Sequence, residues 1–103
     1  MTKPAKPSPE QLYKTLMIKF IESGETPPCE NRTEVFFAEG VDWQVRIRER
    51  EAKMLCGFCP FKSECLAYAL AAREPYGVWG GLTTSERQTL LKSMDRVSVA
   101  QLR

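Results

Sequence analysis

Cys29, Cys56, Cys59 and Cys65 are the residues of this chain best suited to chemistry, and no histidine accompanies them. The last three fall in Cys56-Gly57-Phe58-Cys59-Pro60-Phe61-Lys62-Ser63-Glu64-Cys65, a C-x2-C-x5-C run, with Cys29 well upstream. Four thiolates within reach of one centre are soft donors, which select zinc or iron–sulfur over hard cations. A structural zinc usually takes two tight pairs or mixed Cys/His ligands, and only one such pair exists here. An iron–sulfur cluster is a larger body and tolerates the x5 gap and the isolated Cys29. Two disulfides fit the count but not a reducing compartment. A thiol–disulfide oxidoreductase built on Cys56 and Cys59 would need a βαβ context that the chain lacks. The spacing favours iron–sulfur, then zinc, then thiol roles. No enzymatic activity is expected.

Helices must bring these thiols together. Ser8-Pro9-Glu10-Gln11 reads as a helix start: Ser8 caps, Pro9 takes the first position and Gln11 closes a capping box. Leu12, Leu16, Met17, Phe20 and Ile21 follow at helical spacing, and Gly24 stops the helix. A loop with Pro27, Pro28 and Cys29 leads to the apolar knot Val35-Phe36-Phe37. Asp42 is the expected cap of a second helix reaching about Cys56, with Trp43, Ile47 and Met54 loosely on one side. Pro60 opens a third helix through Ala72, with Cys65, Leu66, Ala69 and Leu70 inward. Thr83-x-x-Glu86 opens a fourth, carrying Leu90, Leu91 and Met94.

The fold class is therefore all-α, a small bundle of about four short helices around a four-cysteine centre. The expected layout is a flexible arm over 1–7, one domain over 8–94 and a short tail over 95–103. At 103 residues the core is small, so a metal staple would supply what burial alone cannot. A net charge of +2, from 15 basic and 13 acidic residues, creates no global field for nucleic acid. No apolar leader or membrane-length run occurs, and a cytoplasmic protein is expected.

With the cysteines and the turn Gly77-Val78-Trp79-Gly80-Gly81 both in view, the chain resembles the WhiB-like family of actinobacterial iron–sulfur transcription regulators. The resemblance covers roughly Cys29 to Leu91. Its pieces are Phe36-Phe37, Ala52-Lys53-x-x-Cys56-x-x-Cys59-Pro60, Glu64-Cys65-Leu66-x-Tyr68-Ala69-Leu70, and the turn with Leu82-Thr83 and Glu86-Arg87. It implies a [4Fe–4S] cluster on the four cysteines, sensitive to oxygen and nitric oxide. It implies binding to the C-terminal region of the primary sigma factor of RNA polymerase, with no small-molecule substrate. The partner surface it implies comprises Phe36, Phe37, Gly77, Val78, Trp79, Gly80 and Gly81. Read without it, Trp79 in a glycine-rich turn could equally cap a small core, and one ring of the Phe pair could face inward.

The chain departs from the usual family pattern in carrying Phe20 and Ile21 upstream of the first cysteine and Ala38 after Phe37. Family members commonly finish with an Arg/Lys cluster or an AT-hook. After Gly81 this chain offers Arg87, Lys92, Arg96 and Arg103, with Glu86 and Asp95 against them, a scatter of charge that usually marks a solvated helix face. Lys92, Arg96 and Arg103 are the candidates for weak, salt-dependent promoter DNA contact. Regulation mainly by protein contact is expected, as a repressor or competitor of the kind a short phage-encoded member would be.

Overall fold

Ser8 and Gly24 bracket the first helix as the sequence predicts. The Ser8 hydroxyl accepts from the Gln11 backbone at 3.2 Å, and the Ser8 backbone donates to the Gln11 side chain at 2.8 Å. Gly24 closes the helix in the left-handed conformation, φ 70°. In this computed structural model residues 7–101 are described, with side chains through 94. Among them lie α1 (Pro9–Ser23), α2 (Thr33–Phe36), α3 (Asp42–Gly57), α4 (Lys62–Ala72) and α5 (Thr84–Gln101), with no strand. The fold class is all-α.

The fifth helix is α2, a single turn formed by the apolar knot. It has no side-chain cap and is too short to carry a periodic signal, so its stability comes from packing on α3. Asp42 is the first residue of α3 rather than its cap; Val41 holds the cap position without a side-chain bond. The Asp42 carboxylate still sits in the first turn, where the helix dipole favours it. Helix α4 starts at Lys62, two residues after Pro60. At α5, Thr83 and Glu86 form the second capping box, with bonds of 3.2 and 2.9 Å. That helix runs on to Gln101. The expected arm lies outside the described residues except for Pro7.

Two helix pairs make the domain. Helix α1 packs on α4 through Tyr13 against Tyr68 at 5.4 Å, and Phe20 meets Phe61, the cap residue before α4, edge to face at 4.8 Å. Helix α2 packs on α3 around a cluster of Val35, Phe36, Ala52, Cys56 and Val78. The radius of gyration, 15.3 Å, exceeds the roughly 13 Å of a compact chain this long. Leu16 on α1 and Ala69 on α4 are buried outside the α2–α3 cluster, and the two pairs face each other across one cavity.

The apolar side of α3 seen in the sequence is not the side that is buried. Trp43, Ile47 and Met54 share a face, but they are 63%, 57% and 61% exposed. The inward side carries Ala52, which is wholly buried, and Cys56. Ile21 on α1 is likewise outward, at 79% exposure, and the end of the expected α5 stripe, Met94, is exposed. Periodicity identifies which residues share a face; it does not say whether another element covers that face. Trp43→Ala is accordingly expected to change stability by no more than about 0.5 kcal/mol. Leu16→Ala, at a buried site on α1, should cost about 2–5 kcal/mol. Chemical-denaturation midpoints of the two variants check this, and equal losses would contradict the placement.

Candidate metal centre

Each thiol is delivered by a different piece of backbone. Cys29 lies in the α1–α2 connector, in successive turns closed by Glu30 N–H to Pro27 O (3.0 Å) and Arg32 N–H to Cys29 O (3.1 Å). Asn31 takes the left-handed conformation there, φ 61°, which Asn tolerates better than most residues. Cys56 is in the last turn of α3. The chain then reverses tightly, with Cys59 N–H bonded to Cys56 O at 3.0 Å, so both members of the C-x2-C pair face one side. Cys65 comes from the first turns of α4, its N–H bonded to Phe61 O at 2.9 Å.

All four cysteines line one cavity of about 200 Å³. Its other walls are mainly apolar, with Leu16, Met17, Phe20, Phe36, Phe37 and Trp79 among them. Lys62 is the cation at its edge. The cavity sits where the α1–α4 pair meets the α2–α3 pair, because Cys29 precedes α2 while Cys56, Cys59 and Cys65 span the α3–α4 junction. Among the described residues, no group of three Cys, His, Asp or Glu side chains is placed to hold a single metal ion.

The electrostatics of the free thiols suit a cationic occupant. Burial pushes the Cys65 thiol up to about 11, opposed by a hydrogen bond from Gly80 and reinforced by Cys56, Cys29 and Cys59. Burial is also the main cause of the raised Cys56 pKa, where the Gly81 N–H and the Lys62 charge pull the other way. Cys29 is exposed as a residue, yet desolvation on its cavity side is the first cause of its raised thiol pKa, with Cys59 and Glu30 adding to it. Four thiolates in one apolar space therefore repel, and only a positively charged body among them makes the set stable as ligands. A soft, multi-atom metal centre fits this donor chemistry.

The glycine-rich turn is part of the same wall. Trp79 and Leu82 exchange backbone hydrogen bonds, both 3.0 Å, across Gly80 and Gly81. Both glycines have positive φ, 56° and 82°, as a type I′ turn requires. A Cβ on Gly80 would lie 2.5 Å from Leu66 Cβ and 2.7 Å from Leu66 N. The glycines thus let this backbone lie against α4, with the Gly80 and Gly81 N–H groups on the side of Cys65 and Cys56, whose thiol pKa values they lower.

The other expected site residues divide. Phe36 and Val78 are core residues, each 5% exposed, and Gly80 is buried, so none of the three offers a side-chain surface to a partner. The adjacent Phe36 and Phe37 point apart, and Phe37 is exposed. Trp79 is half-buried between Phe37 (ring centroids 6.3 Å apart) and Tyr68 (5.5 Å), and its indole N–H donates to Tyr76 O at 2.9 Å. Gly77, with φ 86°, backs onto the Phe37 ring. Lys92 is exposed on α5, whereas the side chains of Arg96 and Arg103 lie outside the described residues. Sequence reasoning missed two features. The glycine N–H donors escaped it because backbone has no residue signature. Arg87, read as a scattered surface charge, is buried.

Residues 24–90 match the family model described as "Transcription factor WhiB". The chain is 61% identical over 57 residues to the transcriptional regulator WhiD of Streptomyces coelicolor, covering 54% of this chain and 51% of that protein. It is 56% identical over 45 residues to the redox-responsive transcriptional regulator WhiB3 of Mycolicibacterium smegmatis, covering 44% and 47%. To the transcriptional regulator WhiB of S. coelicolor it is 54% identical over 44 residues, covering 43% and 51%. The matched stretch spans about half the length of these relatives. The family model takes in all four cysteines and the tryptophan turn, while the α1 wall of the cavity lies before it, and the chain belongs to the WhiB family of transcription factors.

Proposed function

We propose that this chain is a regulator that holds a [4Fe–4S] cluster on Cys29, Cys56, Cys59 and Cys65 and binds the C-terminal region of the primary sigma factor. The observation that carries the reading is the convergence of four thiols from separate segments on one apolar cavity whose rim bears Trp79 and Phe37. The cluster supplies redox lability and cross-links the two helix pairs. The chain's own residues exclude water from it, donate N–H groups to two of its ligands and present the neighbouring aromatic surface. Trp79 is pre-organised by the two rings beside it and by Tyr76 O, so binding through it loses little conformational freedom. A relative named redox-responsive supports the sensing part of the reading. The protein acts in the cytoplasm as a non-enzymatic modulator of promoter activity, with DNA contact from Lys92 and its neighbours subordinate. Among the described residues no helix is long and apolar enough to cross a membrane.

Anaerobic purification with iron, sulfide and zinc analysis tests the cofactor. About four irons per chain and a brown colour are expected. A colourless protein with one zinc would sink the cluster and leave the ligands. Binding to the isolated sigma region tests the partner. Trp79→Ala should weaken it by about 2 kcal/mol or more, roughly thirtyfold, at unchanged iron content. Unchanged binding would move the interface elsewhere.

A further inference from the structure

Arg87 does something the family motif does not explain. Its side chain is 2% exposed, and among the described residues no carboxylate forms an ion pair with it. A buried guanidinium is costly unless its donors are taken up, and here backbone oxygens take them. One terminal nitrogen donates to Gly77 O at 2.6 Å and Leu82 O at 2.8 Å. The other donates to Glu74 O at 3.0 Å, Tyr76 O at 3.4 Å and Thr84 Oγ1 at 3.3 Å.

The acceptors lie on both sides of the Trp79 turn. Glu74, Tyr76 and Gly77 precede it; Leu82 follows it. One planar fork therefore clamps the two ends of the loop whose centre is the Trp79–Leu82 turn. Tyr76 O is shared with the Trp79 indole, so the clamp and the aromatic rim meet at one atom. Lysine has three donors on a single nitrogen and cannot span this spread of acceptors.

We propose that Arg87 is the positioning residue of the thiol centre: it fixes, from α5, the loop that aims Trp79 at the cavity rim and the Gly80 and Gly81 N–H groups at Cys65 and Cys56. Its effect on metal retention rests on the cluster reading above; its effect on Trp79 does not. Arg87 thus belongs with the site and not with the solvated charges of α5. It also makes α5 answerable to the state of the loop.

The test uses the full chain, anaerobically prepared, in a Trp43→Phe background so that Trp79 is the only indole. Acrylamide quenching of Trp79, far-UV circular dichroism and the decay of visible absorbance in air are followed together. Arg87→Lys is expected to keep its helical signal, raise Trp79 quenching about twofold and lose absorbance about tenfold faster, the scale of outer-shell substitutions at metal sites. Arg87→Ala is expected to behave likewise, with both readouts restored by millimolar guanidinium but not by ammonium. A folded Arg87→Lys chain with unaltered quenching and decay would overturn the proposal. If the variants lose their helices, the unsubstituted chain decides: slowly exchanging Arg87 Nη protons in its NMR spectrum support the clamp, and rapidly exchanging ones overturn it. A colourless parent chain would remove the cluster reading while the Trp79 measurement still decides the clamp.

Discussion

A Cys65→Ser chain is expected to carry little or no iron and to unfold tens of degrees below the unsubstituted protein. The physical reason is the division of the core. Helices α1 and α4 form one packed pair and α2 and α3 another. The cysteines lie at the junction of the two pairs, so metal ligation there becomes folding free energy. Net stability of a folded domain is only about 5–15 kcal/mol, so ligation of this kind is a large share of it. Losing the staple is therefore expected to remove on the order of 5 kcal/mol, at roughly 4–8 °C of melting temperature per kcal/mol. Iron analysis and anaerobic thermal unfolding check this. Iron content and melting equal to the parent's would mean that Cys65 is no ligand.

The four ligands should then separate once metal is stripped by a chelator. Cys56 is also a core residue, in contact with the Val35, Phe36, Ala52 and Val78 cluster. Cys56→Ser buries a hydroxyl there and should cost a further 1–3 kcal/mol or so in the metal-free state. Cys29 is exposed on a connector, and Cys29→Ser should cost almost nothing without metal. The comparison distinguishes a thiol that packs from one that only binds.

Gly80→Ala is expected to be the most damaging of the glycine substitutions, at about 3 kcal/mol. Two costs add. The left-handed backbone, φ 56°, penalises any Cβ by roughly 1–2 kcal/mol. The new carbon would also meet Leu66 at 2.5–2.8 Å, against two backbone atoms as well as Cβ, which cannot swing away. Overpacking of this kind costs typically 1–3 kcal/mol. Gly81→Ala shares the backbone penalty but meets the flexible end of Lys62, at 2.6 Å from Cε, and should cost only about 1–2 kcal/mol. Gly57→Ala meets nothing within 4 Å at the end of α3 and should be neutral or stabilising by up to about 1 kcal/mol. Denaturation midpoints give the order. A Gly80→Ala chain as stable as Gly57→Ala would show that the turn does not rest on α4.

What could be read from residues alone was local. Both capping boxes, Ser8 with Gln11 and Thr83 with Glu86, close within three residues, so their donors and acceptors are adjacent in the chain. Gly24 ends α1 for an equally local reason. Helix α2 was not legible, since one turn without a cap has no signature of its own. Trp43, Ile47 and Met54 were grouped on one side of α3, and among the described residues no neighbouring element covers that side. Arg87 was read as solvated because its acceptors are backbone carbonyls 5 to 13 residues earlier, invisible in a pattern of side chains.

The sequence by itself determined the donor set, four thiols without a histidine, and most of the helix ends, because ligand softness and capping depend on residue type and near neighbours. Only the tertiary structure decided which residues those helices cover. It turned Phe36 inward and Phe37 outward, gathered the four thiols around one cavity, and buried Arg87 under the Trp79 turn. These outcomes depend on contacts between segments far apart in the chain, and no local pattern contains the other half of such a contact.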